Sequence, residues 1–215
     1  MIVLEIEDIK ELISKVGYKD FYLMLIKTLE EDYSNWEQFD KTPRVANHVD
    51  GGVIELMPIS NDEMYSFKYV NGHPKNPEQN KFTVMATGQL SLTHTGEPLM
   101  FTEMTLLTAF RTAANSAMAA KHLAKKDSKI LTLIGTGSQS EFQYLAFSYI
   151  FDLEEVRYFD TDPKAMDKFE KNMKQFDIKL TRCSSSKEAA QTADIITTCT
   201  ADKRYQTVLT KDMIE

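Results

Sequence analysis

Three basic side chains stand in apolar surroundings in the first half of the sequence. Lys68 lies in MYSFKYVNG between Phe67 and Tyr69, Arg111 lies in LLTAFRTAAN, and Arg44 follows Pro43 where a strand-like run opens. A guanidinium can grip a carboxylate through two parallel hydrogen bonds, and a second cation would make such a pocket selective for an amino-acid head group. Taken singly, each is equally a snorkelling side chain or half of a structural ion pair. Together they point to a small carboxylate-bearing ligand. His48, His73, His94 and His122 show no metal-ligand spacing, and His73 in GHP reads as a turn residue.

The second half offers a different chemistry. ILTLIGTGSQSEFQ (130–143) reads as a buried strand, a glycine turn and a helix, with Gly135, Gly137 and Ser140 in a G-x-G-x-x-small pattern. The first glycine permits a tight turn, and the second lets a pyrophosphate approach the backbone. The small third residue lets helix and strand pack, and the helix N-terminus supplies amide donors to phosphate. A plain strand-to-helix turn is the competing reading. The next strand, EVRYFD, ends at Asp160, 25 positions after Gly135, where a carboxylate meets the adenosine ribose hydroxyls and repels a 2′-phosphate. NAD is therefore preferred over NADP. Asp162 suits the cap of a helix opening at Pro163 better than a ribose contact. DIITTCTAD ends a fourth strand in hydroxyls, and Thr200 is the candidate for the cofactor crevice, with a merely polar strand end as the alternative.

The elements needed to position these residues divide the chain in two. MIVLEI is a short strand, Asp8 is an N-cap for IKELISKVG, and YKDFYLMLIKTLEEDYSNW is a helix whose apolar face holds Phe21, Leu25, Ile26 and Leu29. From Pro43 to Glu103, PRVANHVD, GVIELMPIS, MYSFKYV, KFTVMATGQLSL and PLMFTE read as strands of an antiparallel or mixed sheet. An alanine-rich helix from near Glu103 then packs between layers. After Lys129, strands alternate with helices, which predicts right-handed crossovers and a parallel sheet. The fold class is thus α/β: a Rossmann-type parallel-sheet domain over 113–215 follows an N-terminal α+β domain over 1–112.

Composition narrows the partners. The net charge of −7 and pI near 5.2 argue against nucleic acid and against an anionic membrane surface. No apolar run approaches the roughly 20 residues of a membrane span, and the acidic start lacks the basic stretch of a signal peptide, so a cytoplasmic protein is expected. Cys183 and Cys199 form no C-x-x-C pair or zinc spacing; both are expected reduced and buried, and no metal site is expected.

FKYVNGHPKNP (67–77), TEMTLLTAFRTAANSAMAAK (102–121) and IGTGSQSEFQ (134–143) resemble the ornithine cyclodeaminase and mu-crystallin family over nearly the whole chain. The first two motifs are far more specific than the glycine turn. The resemblance implies that Arg44, Lys68 and Arg111 bind the substrate α-carboxylate. It also implies that Thr83 and Thr112 contact the cofactor from the first domain. Ser138, Gln139, Asp160 and Thr200, with the turn glycines, complete an NAD site. The N-terminal domain would bind substrate and pair subunits into a homodimer.

The implied reaction converts L-ornithine to L-proline and ammonia. The α-carbon gives a hydride to NAD, the δ-amine attacks the resulting imine, ammonia departs, and the hydride returns to the cyclic imine. The family's catalytic aspartate falls beyond Glu215, together with the last Rossmann strands, so no catalytic residue is assignable within the chain; a fragment and a truncated product are both compatible with this. Three alternatives accompany the resemblance: an NAD(P)-dependent amino-acid dehydrogenase or imine reductase, a non-catalytic cofactor-binding protein like the crystallin relatives, and lysine in place of ornithine, since one methylene changes binding by only about 1–3 kcal/mol.

Overall fold

The computed structural model describes residues 1–200 and 207–214. The chain divides into two units, Met1–Thr108 and Ala109–Glu215.

The first unit opens with strand β1 (Ile2–Leu4) and helix α1 (Ile6–Val16). Asp8 does not cap α1. The cap position is Glu5, whose N–H donates to the Asp8 carboxylate at 2.8 Å, so the helix starts one turn earlier than the Asp8 signal suggests. Gly17, at φ +87°, ends α1 and begins α2 (Tyr18–Ser34). Ile9, Ile13, Tyr22 and Ile26 are buried; Tyr22 is fully so, although the helical spacing selected Phe21, Leu25 and Leu29 beside Ile26. Each such apolar side chain contributes about 1.5–3 kcal/mol on burial.

Strands β2 (Val45–Val49), β3 (Gly52–Ser60), β4 (Met64–Gly72), β5 (Ala86–Leu92) and β6 (Pro98–Glu103) complete a six-stranded sheet of order β1-β6-β5-β4-β3-β2. All neighbours are antiparallel except β1 and β6, so the sheet is mixed. Two expected strands are shorter than their apolar runs. Pro43 and Arg44 precede β2, and residues 81–85 lead into β5 irregularly: the Met85 carbonyl accepts from Asn71 N–H at 3.1 Å, but Met85 N–H turns to the Asn71 side chain at 2.5 Å.

Helix α3 (Thr105–Leu123) crosses the division between the units. The Glu103 carboxylate accepts from the N–H groups of Thr105 and Leu106, which satisfies donors that the first turn leaves open. Its buried residues are Phe110 and the alanines Ala113, Ala114 and Ala117, whose small side chains permit close packing.

The second unit alternates strictly: β7 (Ile130–Ile134), α4 (Ser140–Ser148), β8 (Glu155–Phe159), α5 (Pro163–Met173), β9 (Lys179–Arg182), α6 (Ser186–Ala190), β10 (Ile195–Thr198) and a short α7 (Lys211–Ile214). Its four strands are all parallel in the order β10-β7-β8-β9. Counted along the unit, that is 3-2-1-4 from the far edge, the order of the first half of a dinucleotide-binding sheet, with its switch point between β7 and β10. The expected Rossmann-type parallel sheet, beside an α+β unit, is the observed fold. Leu131, Leu133, Val156, Tyr158, Phe169 and Met173 form its core, each less than 2% exposed. Asp162 caps α5 by accepting from Lys164 N–H at 2.9 Å, with Pro163 in the first turn.

Candidate functional site

In the second unit the glycine turn sits at the carboxyl end of β7, beside the end of β10. Gly135 has φ +98°, and a Cβ there would lie 2.8 Å from the Cys199 carbonyl carbon and 3.0 Å from Thr200 N. No side chain can occupy that position, so the first glycine serves chain geometry as well as the turn. Gly137 is different. Its φ is not positive, and a Cβ there would meet nothing within 4 Å. Neither backbone nor packing requires glycine here, which fits a position kept bare for a ligand's approach. Ser138 is exposed, Gln139 is half-buried just before α4, and Ser140 is fully buried, as a small third residue is expected to be.

Asp160 stands directly after β8. Its Oδ2 accepts from Thr136 N–H at 2.6 Å and lies 3.3 Å from Thr136 Oγ1, while its Oδ1 accepts from Asp162 N–H at 2.9 Å. The carboxylate is thus tied to the middle of the glycine turn, with lone pairs left over for hydroxyl donors. A cavity of about 590 Å³ adjoins it, lined by Phe159, Asp160, Pro163, Met166, Arg182 and Cys183 among others. That is within the range of small-molecule sites. The nearby Arg182 guanidinium is committed to Asp167 at 2.6 Å and Glu170 at 3.1 Å. Both pairs use Nη1, and the Asp160 carboxylate beside the turn would repel a 2′-phosphate. Glycine turn, bare Gly137, helix N-terminus and Asp160 together fit a dinucleotide without a 2′-phosphate. Thr200 follows β10 with its amide beside Gly135 and its side chain exposed. The two residues of that expected strand end that follow it, Ala201 and Asp202, lie outside the described residues.

Cys183 is buried and Cys199 half-buried, a partial departure from the expected pair of buried thiols. Burial pushes the Cys199 thiol up to about 12, so it stays protonated at neutral pH.

In the first unit, Arg44 stands one residue ahead of β2. Continuing the register Val45↔Leu56 places it opposite Met57, which pairs with Lys68, which in turn pairs with Gly88. Directly opposed residues share a sheet face, so Arg44 and Lys68 lie in one row on one face, two strands apart. Arg44 Nη1 donates to Glu55 Oε1 at 3.0 Å, and Glu55 lies on that same face. The Arg44 side chain is 61% exposed and uses one of five donors in this pair. Thr83 is half-buried and its carbonyl accepts from His73 N–H at 2.8 Å; Asn71 Nδ2 lies 2.8 Å from His73 Nδ1, and the His73 carbonyl accepts from Asn76 N–H at 3.0 Å, so His73 opens a turn. Arg111 and Thr112 fall in the second unit. Arg111 is exposed on α3, not enclosed in an apolar helix: the apolar run LLTAF turns its buried side elsewhere, onto Phe110, Ala113 and Ala114.

Sequence reasoning missed Thr136, Glu55, Glu141 and Lys168. Glu55 alternates with apolar residues along β3 and looks like an ordinary solvent position until the register brings it beside Arg44. Lys168 lies in a helix of mixed charge, and no local spacing links it to the turn it touches.

The ornithine cyclodeaminase/mu-crystallin family model matches residues 7–215. The chain belongs to this family. It is 48% identical over 211 residues to an ornithine cyclodeaminase of Agrobacterium fabrum, covering 98% of this chain and 60% of that protein. It spans about 60% of the length of the curated relatives it matches. Among solved structures, it resembles a lysine cyclodeaminase described for recognition of L-lysine, L-ornithine and L-2,4-diaminobutyric acid. The TM-score is 0.91 at 28% identity, covering 98% of this chain and 64% of the other. An archaeal alanine dehydrogenase dimer with bound NAD matches with a TM-score of 0.81 at 30% identity, covering 93% and 60%. No helix among the described residues is long and apolar enough to cross a membrane.

Proposed function

We propose that this chain is part of an NAD-dependent cyclodeaminase that converts L-ornithine to L-proline and ammonia. The observation that carries the reading is the 48% identity with an ornithine cyclodeaminase over 98% of the chain. In this reading residues 1–112 bind substrate and pair subunits, and residues 113–215 bind NAD.

The two units hold complementary equipment. Gly135, Gly137, Ser138 and Gln139 form the diphosphate turn at the start of α4, Asp160 takes the adenosine ribose hydroxyls, Thr200 lines the crevice, and Thr83 and Thr112 contact the cofactor from the substrate side. Bound NAD supplies hydride acceptance and return, which makes the overall conversion redox-neutral. Arg44 and Lys68, in one row of the sheet, and Arg111 on α3 hold the α-carboxylate and so fix which carbon is presented for reaction. Holding that carbon oriented and excluding water protects the substrate imine until the δ-amine closes the ring. None of residues 1–215 is assigned the acid–base role on the amines. Incubating the full-length protein with NAD and ornithine, and assaying proline and ammonia, tests this reading; intact NAD binding with no proline would refute it.

The match to an NAD-bound alanine dehydrogenase favours one second reading, a net amino-acid dehydrogenase. Stoichiometric NADH released with substrate would establish it.

A homodimer through the first unit's sheet completes the proposal. Val45, Leu56 and Tyr69 form one register row on the face opposite Arg44 and Lys68; Val49 and Tyr65 share that face, and all five are 38–59% exposed. Such an apolar sheet face calls for a covering surface, and a second copy of the sheet provides one. A cytoplasmic location accords with the free thiols of Cys183 and Cys199.

A further inference from the structure

The glycine turn is held by a charged clamp from the neighbouring helix. Lys168, on α5, donates to the Gly137 carbonyl at 2.8 Å and to both oxygens of Glu141 at 2.8 and 3.1 Å. Glu141 lies in the first turn of α4, with its side chain only 18% exposed. Asn172, one turn after Lys168, donates to the same carboxylate at 2.8 Å. The Ser140 hydroxyl lies 2.8 Å from the Gly137 carbonyl and 3.0 Å from Glu141 Oε2, its single proton serving one at a time.

The arrangement has an electrostatic logic. A bare carboxylate in the first turn of α4 would oppose an incoming diphosphate, because both anions draw on the same positive helix end. The Gly137 carbonyl oxygen would oppose it as well. Lys168 neutralises the first and engages the second. We propose that Lys168 is a positioning residue of the cofactor site: by pairing Glu141 and anchoring the Gly137 carbonyl, it keeps the glycine turn receptive to the diphosphate. This rests on the NAD reading above.

The alternative is a clamp that merely stabilises the α4–α5 packing. The two ideas differ in sign. If charge compensation matters, Lys168→Met leaves an unpaired anion beside the diphosphate and raises the Kd for NAD about tenfold. Glu141→Gln removes that anion while keeping its hydrogen-bonding shape, so it binds NAD as tightly as wild type or more tightly. The double variant E141Q/K168M recovers most of the loss, and Lys168→Arg stays within about threefold of wild type. The differences shrink as salt rises. A purely structural clamp predicts that K168M and E141Q weaken NAD binding alike and lower the melting temperature alike.

Calorimetric titration of the full-length protein with NAD, with thermal melts in parallel, decides between them. Equal weakening by E141Q and K168M, or wild-type affinity in K168M, overturns the proposal. Should K168M fail to fold, folded E141Q decides alone: weaker binding overturns the proposal and equal or tighter binding upholds it. A wild-type protein that does not bind NAD would instead overturn the cofactor assignment itself.

Discussion

The two glycines of the turn are identical in sequence and opposite in physics, so alanine at each should have opposite effects. At Gly135, alanine must adopt φ +98° and push a methyl to 2.8 Å from the Cys199 carbonyl carbon. The left-handed conformation costs about 1–2 kcal/mol and the overpacking against backbone about 1–3 kcal/mol. Gly135→Ala should therefore lose about 2–5 kcal/mol of stability, read as a lower urea midpoint at unchanged slope. At Gly137 neither term applies, since φ is not positive and nothing lies within 4 Å. Gly137→Ala should fold as well as wild type or gain up to about 1 kcal/mol by restricting the unfolded chain. Its effect falls on binding, where a methyl in the path of the diphosphate costs about 1–3 kcal/mol, roughly a 5- to 150-fold rise in the Kd for NAD. Urea denaturation and NAD titration of both variants check the pair. A G137A protein that binds NAD like wild type, or a G135A protein of unchanged stability, would refute the reasoning.

Further outcomes are expected. Arg111→Leu should abolish ornithine binding while sparing NAD, because it removes a carboxylate partner outside the glycine turn; unchanged ornithine affinity in a titration would mark Arg111 as structural. Glu155 is held at about 2, below its usual 4.5, first by the Thr181 hydroxyl at 2.7 Å and then by Arg157 and Lys179. Because its folded value is depressed, this stabilisation is present above pH 4.5 and is lost as pH falls towards 2. It amounts to about 2 kcal/mol after allowing for solvent screening. Glu155→Gln should flatten the pH dependence of the urea midpoint between pH 5 and 2. Leu56→Glu should convert a dimer to a monomer by light scattering, since it places a charge in the middle of the apolar sheet face; a dimer that survives would move the interface elsewhere.

Much of the architecture is written locally. The 3.6 and 2 periodicities, the glycines at turns and the Asp162-Pro163 cap mark where the elements begin and end, because these signals act over a few residues. The spacing from Gly135 to Asp160 is legible for the same reason: one helix and one strand, α4 and β8, separate that turn from that strand end. Helix entry at Glu5 rests on a local contact in which Asp8 serves as the third helical residue and not as the cap, two roles that one acidic residue signals alike; the burial of Tyr22 depends on which helix face meets the rest of the unit. Three motifs carried the family resemblance, and chain pattern alone left the chemistry open.

Only the tertiary structure decided how the candidate residues are held. Strand register, which no single strand encodes, puts Arg44 beside Glu55 and in line with Lys68. The backbone at Cys199, directly after β10 and sixty-four residues from Gly135, is what excludes a side chain there. Lys168 reaches the Gly137 carbonyl across thirty-one residues of sequence, and Thr136 ties Asp160 to the turn across twenty-four. Local sequence specifies backbone conformation through short-range sterics and capping, whereas an ion pair or a close approach between distant segments exists only once the sheet and its flanking helices have packed.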